Sequence, residues 1–283
     1  MRSKLGVAAL VCVAAAVALS SSASASSGTL VITSNTLLTE DHQGSIVVAR
    51  NGVTLDCAGH TISGAGAESG VGVELIGRSS VTVRDCRVTN FDHGFYLVGT
   101  KNSTFRSNVA QGNQLTGFDI NDSSHNTFVG NEADGNAVHG FAVVGGRGNV
   151  FSANSVVGNP AAGFSVILSN DNMLKENVAT ANGGGFVIQS SSGNVLKANV
   201  SSGNVLYGFV VNPYTDHAQP ENNTLRDNVA EANGWYGFVL WDASFNRVTG
   251  NVGQANGIFD AVQDGDSVGN DWVNNTFGTT FGI

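Results

Sequence analysis

The sequence predicts an all-β chain wound as a single-stranded right-handed parallel β-helix, a solenoid of about nine coils. Three observations carry this. Asn126, Asn149 and Asn172 open blocks 23 residues apart; Asn131, Asn154 and Asn177 follow five residues later, and Asn136, Asn159 and Asn182 five after that. A fixed period of this size marks stacked repeat units. Gly-Phe pairs at Gly94, Gly117, Gly140, Gly163, Gly185, Gly208 and Gly237 keep the same beat, with intervals of 22 or 23 residues until a last one of 29. The runs TFVG, GFAVV and GFSVI are short and strand-like, while Gly and Asn recur too often to sustain a helix.

Each marker has a mechanical reading. Asn tolerates left-handed turns, and Asn side chains stacked every ~4.8 Å can hydrogen-bond along the axis as ladders. The Phe of each Gly-Phe pair is expected to stack inward as a core column. Nine coils would span about 45 Å.

In chain order, residues 1–25 read as a secretory signal: Arg2 and Lys4, an apolar run to Leu19, then Ala23-Ser24-Ala25 for cleavage. The apolar run is short and Ser-rich sequence follows, which disfavours a membrane anchor. Residues 26–50 are expected to cap the N-terminal end. The β-helix proper is assigned to 51–269, with a Gly-rich loop at 65–72. An insert at 212–221, NPYTDHAQPE, accounts for the long interval. Residues 270–283 are expected to cap the C-terminal end.

Charge narrows the partners. Without Arg2 and Lys4, 11 basic residues face 22 acidic ones, a net charge of −11 for the expected mature chain. That disfavours nucleic acid and anionic lipid. The expected location is secreted or extracytoplasmic. In such an oxidising compartment Cys57 and Cys86, at similar places in successive coils, are expected to form a disulfide. The alternative is two buried thiols. Oligomeric state is not legible.

The runs TEDHQGSIVVARNGVTLDCAGHTISGAG and SSVTVRDCRVTNFDHGFYLVGTKNSTFRSN resemble the right-handed parallel β-helix repeat family, especially its NosD-like branch within the pectate-lyase-type superfold. The likeness covers nearly the whole expected mature chain. It implies the fold but no one activity, since the family includes lyases, hydrolases, epimerases and binding proteins. The copper maturation associated with NosD proteins is not carried over, because no dense Met, Cys or His cluster is present.

Three groups can carry chemistry. Asp92, His93, Asp119 and His139 should gather on one face near Tyr96, with the histidines about 10 Å apart. Proton abstraction at a uronate needs a base, an acid and a neutraliser of the substrate carboxylate. His93 or His139 would be the base and Tyr96 the acid. Arg106 or Lys101 would neutralise, or Ca²⁺ held by Asp92, Asp119 and Asp122. No other cofactor is indicated. Hydrolysis would instead pair Asp92 with Asp119. The competing reading makes these solvated turn residues.

Lys175, Lys197 and Arg226 share one position in successive coils, with Arg106 in the same column. Such a strip can hold a polyanion, but neighbouring Glu176 and Asp227 weigh towards a solvated face. The third group is aromatic: Tyr207, Trp235, Tyr236 and Trp241, with Tyr214, Asp216 and His217 in the insert. Exposed aromatic faces over a flat sheet suit stacking on sugar rings. Alternatively the insert folds over Trp235 and Trp241 as a satellite core. Three functional readings stand at this level. The first is an exported protein engaging a polysaccharide or envelope glycan along its exposed sheet. The others are a lyase- or epimerase-like enzyme and a non-catalytic structural module.

Overall fold

The computed structural model describes residues 28–215 and 217–283, with the backbone of a short strand, Ser21–Ala23, paired to Thr36–Leu38. Apart from that strand, the expected leader lies outside the described residues. One coil shows the plan: Thr127–Val129, Glu132–Asp134 and His139–Val144 are its three strands. Each pairs in parallel with the equivalent strand of the coils before and after, giving three sheets of twelve, eleven and twelve strands. Thr127–Val129 lies in the first sheet, Glu132–Asp134 in the second and His139–Val144 in the third. The winding is right-handed, as strand-crossover-strand connections are.

The solenoid has about eleven coils rather than nine. The difference lies at the ends. Leu30–Ile32 pairs with Ile46–Val48, and Asp271–Val273, Thr276–Phe277 and Thr280–Phe281 extend the three sheets. These segments lack the Gly-Phe mark, so counting by that mark misses them. At ~4.8 Å per coil the stack is roughly 50 Å long.

The corners correct one expectation. The ladder asparagines do not themselves take the left-handed bends; the residue before each one does. Ala153 (φ 53°) precedes Asn154, Gly135 (φ 59°) precedes Asn136, and Asp171 (φ 58°) precedes Asn172. The bend turns the chain, and its successor then points into the core. There the amide meets its copies. The backbone N and Nδ2 of Asn131 both donate to Asn154 Oδ1, at 2.9 and 3.0 Å. Asn154 Nδ2 donates onward to Asn177 Oδ1 at 2.8 Å and to the Phe128 carbonyl at 3.0 Å. Buried polar groups cost free energy unless paired, and these are paired on every side.

Between the ladders runs the aromatic core. Phe95, Phe118, Phe141, Phe164, Phe186, Phe209 and Phe238 stack at 4.4 to 5.0 Å along the third sheet. Phe105, Phe128 and Phe151 form a second column on the first sheet and meet the first edge-on, Phe128 to Phe141 at 6.1 Å. The Gly of each Gly-Phe pair is required by space. A Cβ on Gly140 would collide with a Val156 methyl and approach the Gly163 carbonyl.

Cys57 and Cys86 form a disulfide, with Cα atoms 4.7 Å apart across a sequence separation of 29. Cys86 N accepts the role that ladder amides play later, donating to Asn108 Oδ1 at 3.1 Å. Closing a loop of that size is worth about 3–4 kcal/mol in the chain-entropy account. Reduction is therefore expected to loosen the N-terminal coils first, giving an added low-temperature transition in calorimetry; an unchanged profile would contradict this.

Candidate functional site

The outer face of the third sheet carries two of the three candidate groups. Its strands His93–Val98, Thr116–Asn121 and His139–Val144 are in register, so His93, Thr116 and His139 form one column and Tyr96, Asp119 and Ala142 the next. Asp119 sits between the two histidines. Its Oδ2 lies 3.1 Å from His93 Nδ1, without hydrogen-bond alignment, and its Oδ1 accepts from Asn121 Nδ2 at 2.9 Å. The Tyr96 and His93 rings lie 5.6 Å apart. Nδ1 of His93 and Nδ1 of His139 are both buried without a hydrogen bond inside the protein.

Burial sets the electrostatics. It raises the Asp119 carboxyl above its ordinary value, opposed by the His93 charge, the Asn121 bond and His139. Burial lowers His139 below the ordinary histidine value, opposed by Asp119 and the Ala162 backbone. His139 is thus neutral at neutral pH and can accept a proton. The lowered pKa has a stability consequence. Below the ordinary histidine value the unfolded chain binds a proton that the folded chain refuses, so stability is lost as pH falls from there to the folded pKa. In His139→Gln this loss is expected to shrink, readable as a flatter melting-temperature profile across mildly acidic pH; an unaltered profile would contradict it.

The remaining members are placed elsewhere. Asp92 holds the loop before Val71–Ile76: its Oδ1 accepts from Glu68 N and its Oδ2 from Gly70 N, both at 3.1 Å. Asp122 occupies a left-handed bend after the strand (φ 47°). Arg106 stands on the first sheet, a different face, and Lys101 in the turn between the two. Among the described residues, no three His, Cys, Asp or Glu side chains are grouped to hold a metal ion.

Four coils further on, the same outer face is aromatic. Tyr207 and Tyr236 are in register and stack at 6.1 Å with planes 2° apart. Trp241 meets both rings edge-on, at 5.4 and 5.9 Å, and Trp235 meets Tyr207 at 5.9 Å. The column continues beyond what the sequence suggested: Tyr236 stacks on Phe259 at 6.4 Å and Phe259 on Phe281 at 5.8 Å. Phe259-Asp260-Ala261 aligns with Tyr236-Gly237-Phe238, so Phe259 was findable as the aromatic before the displaced mark. The insert does not bury the group. Trp235 remains 45% exposed. Tyr214 instead stacks on His217 at 5.9 Å, and its backbone N donates to Ser190 Oγ at 2.8 Å. Asp216 lies outside the described residues.

Small residues connect the two groups. Ala142, Ala162 and Ser165 are outward-facing yet buried, and Gly184 follows in the His93–His139 column. The face is therefore an open track, polar at one end and aromatic at the other. More enclosed space lies off it, as in a cleft of about 480 Å³ beside the insert's Gln219. In that cleft Arg147 and Asp171 pair with each other at 2.8 Å, whereas on the track the imidazole nitrogens of His93 and His139 have no hydrogen bond inside the protein.

Among solved structures, the A-module of a mannuronan C-5 epimerase from Azotobacter vinelandii is similar, with TM-score 0.66 and 18% identity over 84% of this chain and 71% of that one. A periplasmic alginate epimerase gives 0.62 and 17%, over 89% and 70%. An alginate lyase from Paenibacillus sp. str. FPU-7 gives 0.60 and 14%, over 89% and 99%. At these identities the likeness is one of fold. Comparison with curated proteins gives no match. The family model described as "right handed beta helix region" matches residues 20–179 and 149–277, and the chain belongs to that family.

Proposed function

We propose that this protein is exported and engages a polysaccharide chain laid along the outer face of its third sheet. The observation that carries the reading is the in-register ladder of Tyr207, Tyr236 and Phe259, with Trp235 and Trp241 beside it. A polymer of repeating rings suits a track of repeating rungs, and each aromatic face offers large apolar area at little entropic cost. Similar folds in an alginate epimerase and an alginate lyase are consistent with an envelope or matrix glycan as partner. No described helix is long and apolar enough to cross a membrane.

A second reading rests on its own observation, the two unpartnered imidazole nitrogens flanking Asp119. A neutral His139 can take the proton α to a uronate carboxyl group; a proton from the Tyr96 hydroxyl then goes either to the departing glycosidic oxygen as the C4–O bond breaks (elimination) or to the opposite face of the same carbon (epimerisation). Ca²⁺ would act there as substrate-carboxylate neutraliser rather than as a fixed centre.

A panel of plant, algal and bacterial polysaccharides, tested with and without Ca²⁺ for binding and for new unsaturated or reducing ends, separates the readings. Binding without products supports recognition. Products lost in His139→Ala support the enzyme. Silence on both readouts across the panel would sink the carbohydrate reading.

A further inference from the structure

The outer face of the first sheet carries a second, chemically distinct column. Lys175 pairs in register with Lys197, and Lys197 with Arg226. Three cations therefore stand on successive rungs ~4.8 Å apart, an arrangement that is repulsive unless something neutralises it. The residues expected to do so do not. Glu176 and Asp227 take the left-handed bends next to Lys175 and Arg226 (φ 58° and 57°). The Asp227 carboxylate points along the axis to the Gly250 turn. Among the described residues none of the three cations makes an ion pair, whereas Arg84 further up the column pairs with Asp56, and Arg147 with Asp171 at 2.8 Å. Arg106, three rungs before Lys175 with Val129 and Ser152 between, is likewise free of an ion pair. The four cations span about 24 Å. Beside the three lie Met173, Val195 and Thr224, an apolar to weakly polar lane.

We infer that this column is a binding track for an anionic polysaccharide, its acid groups lying against Lys175, Lys197 and Arg226 and its ring faces over the neighbouring aliphatic lane. The site stands on a different face from the aromatic track and does not depend on it. A polysaccharide fits better than nucleic acid because the lane beside the cations is Met173, Val195 and Thr224, which can lie under sugar rings but offers no aromatic face on which unpaired bases would stack. Ion contacts at an exposed line are each weak, so affinity must come from several at once and must fall with salt.

The test compares polygalacturonate oligomers with neutral cello-oligomers of equal length by calorimetry, at low and high salt. The variants are Lys175→Gln/Lys197→Gln/Arg226→Gln, the control Arg87→Gln on the second sheet, and Trp241→Ala. The inference predicts that the wild type prefers the acidic oligomer in low salt only. The triple variant should lose roughly tenfold in that preference, with a melting temperature unchanged or raised because repulsion is relieved. Arg87→Gln should keep it. Trp241→Ala should keep the acidic preference even where neutral binding falls, which separates this track from the aromatic one. An undiminished preference in the triple variant would overturn the inference. So would single-stranded DNA of equal charge binding as tightly as the acidic oligomer, or a preference that vanishes only in Trp241→Ala.

Discussion

Trp241→Ala is expected to weaken binding of the cognate polysaccharide about thirtyfold, with Tyr236→Ala close behind. Trp241 touches Tyr207 and Tyr236 edge-on, so its loss removes one wall of the track and frees the rings it steadies. Buried aromatic anchors at interfaces typically cost ~2 kcal/mol or more when truncated, which sets the thirtyfold figure. Folding should hardly change, because both side chains are on the outer face and the Phe209–Phe238 stack beneath them is untouched. Phe281→Ala, at the exposed end of the same column, should cost much less. The readout is a titration of each variant against the glycan, alongside its melting temperature. Equal affinity in wild type and Trp241→Ala would remove the aromatic track from the account.

The largest stability effect is expected inside the solenoid, at Asn154→Ala. That single amide takes part in four hydrogen bonds: two from Asn131, one to the Phe128 carbonyl and one to Asn177. Removing it strands two buried donors on Asn131 and frees one acceptor on each remaining partner. Unsatisfied buried polar groups cost ~1–3 kcal/mol each, so a loss of about 4 kcal/mol is expected despite the small change in volume. The removed atoms are polar, and burial alone predicts little loss. Denaturant unfolding, followed through each stage of the stack's transition, decides between the two. A loss below about 1 kcal/mol would show that the ladder is replaceable by relaxation or water.

The fold was legible because its determinants repeat. An error at one coil is outvoted by the next, and the columns of Asn126–Asn149–Asn172 and Phe118–Phe141–Phe164 say the same thing each time. What remained hidden was whatever does not repeat. The bends belong to a mixed set of residues, Ala153, Asp171 and Gly135 among them, so composition alone could not single them out. Asp92 adjoins His93 in sequence, but its carboxylate accepts from amides at Glu68 and Gly70, more than twenty residues away, which sequence does not show. Conversely, the grouping of His93, Asp119 and His139 on one face was readable once the period was known, since register across a parallel stack follows directly from it. The unpartnered imidazole nitrogens of His93 and His139 and the shifted acidities of Asp119 and His139 were not, because these depend on burial. The same applies to the cation column: sequence showed Glu176 beside Lys175, and only the backbone bend shows that the two do not pair.

The aromatic track can be observed directly, because the chain has only three tryptophans and Trp272 lies on the first sheet, away from it. In Trp272→Phe, emission comes from Trp235 and Trp241 alone. Titrating this variant with the polysaccharide that binds the wild type should shift that emission saturably and shield it from a soluble quencher. Its midpoint should match the calorimetric affinity. Full binding with unaltered emission and unaltered quenching would place the glycan elsewhere on the solenoid and contradict the account.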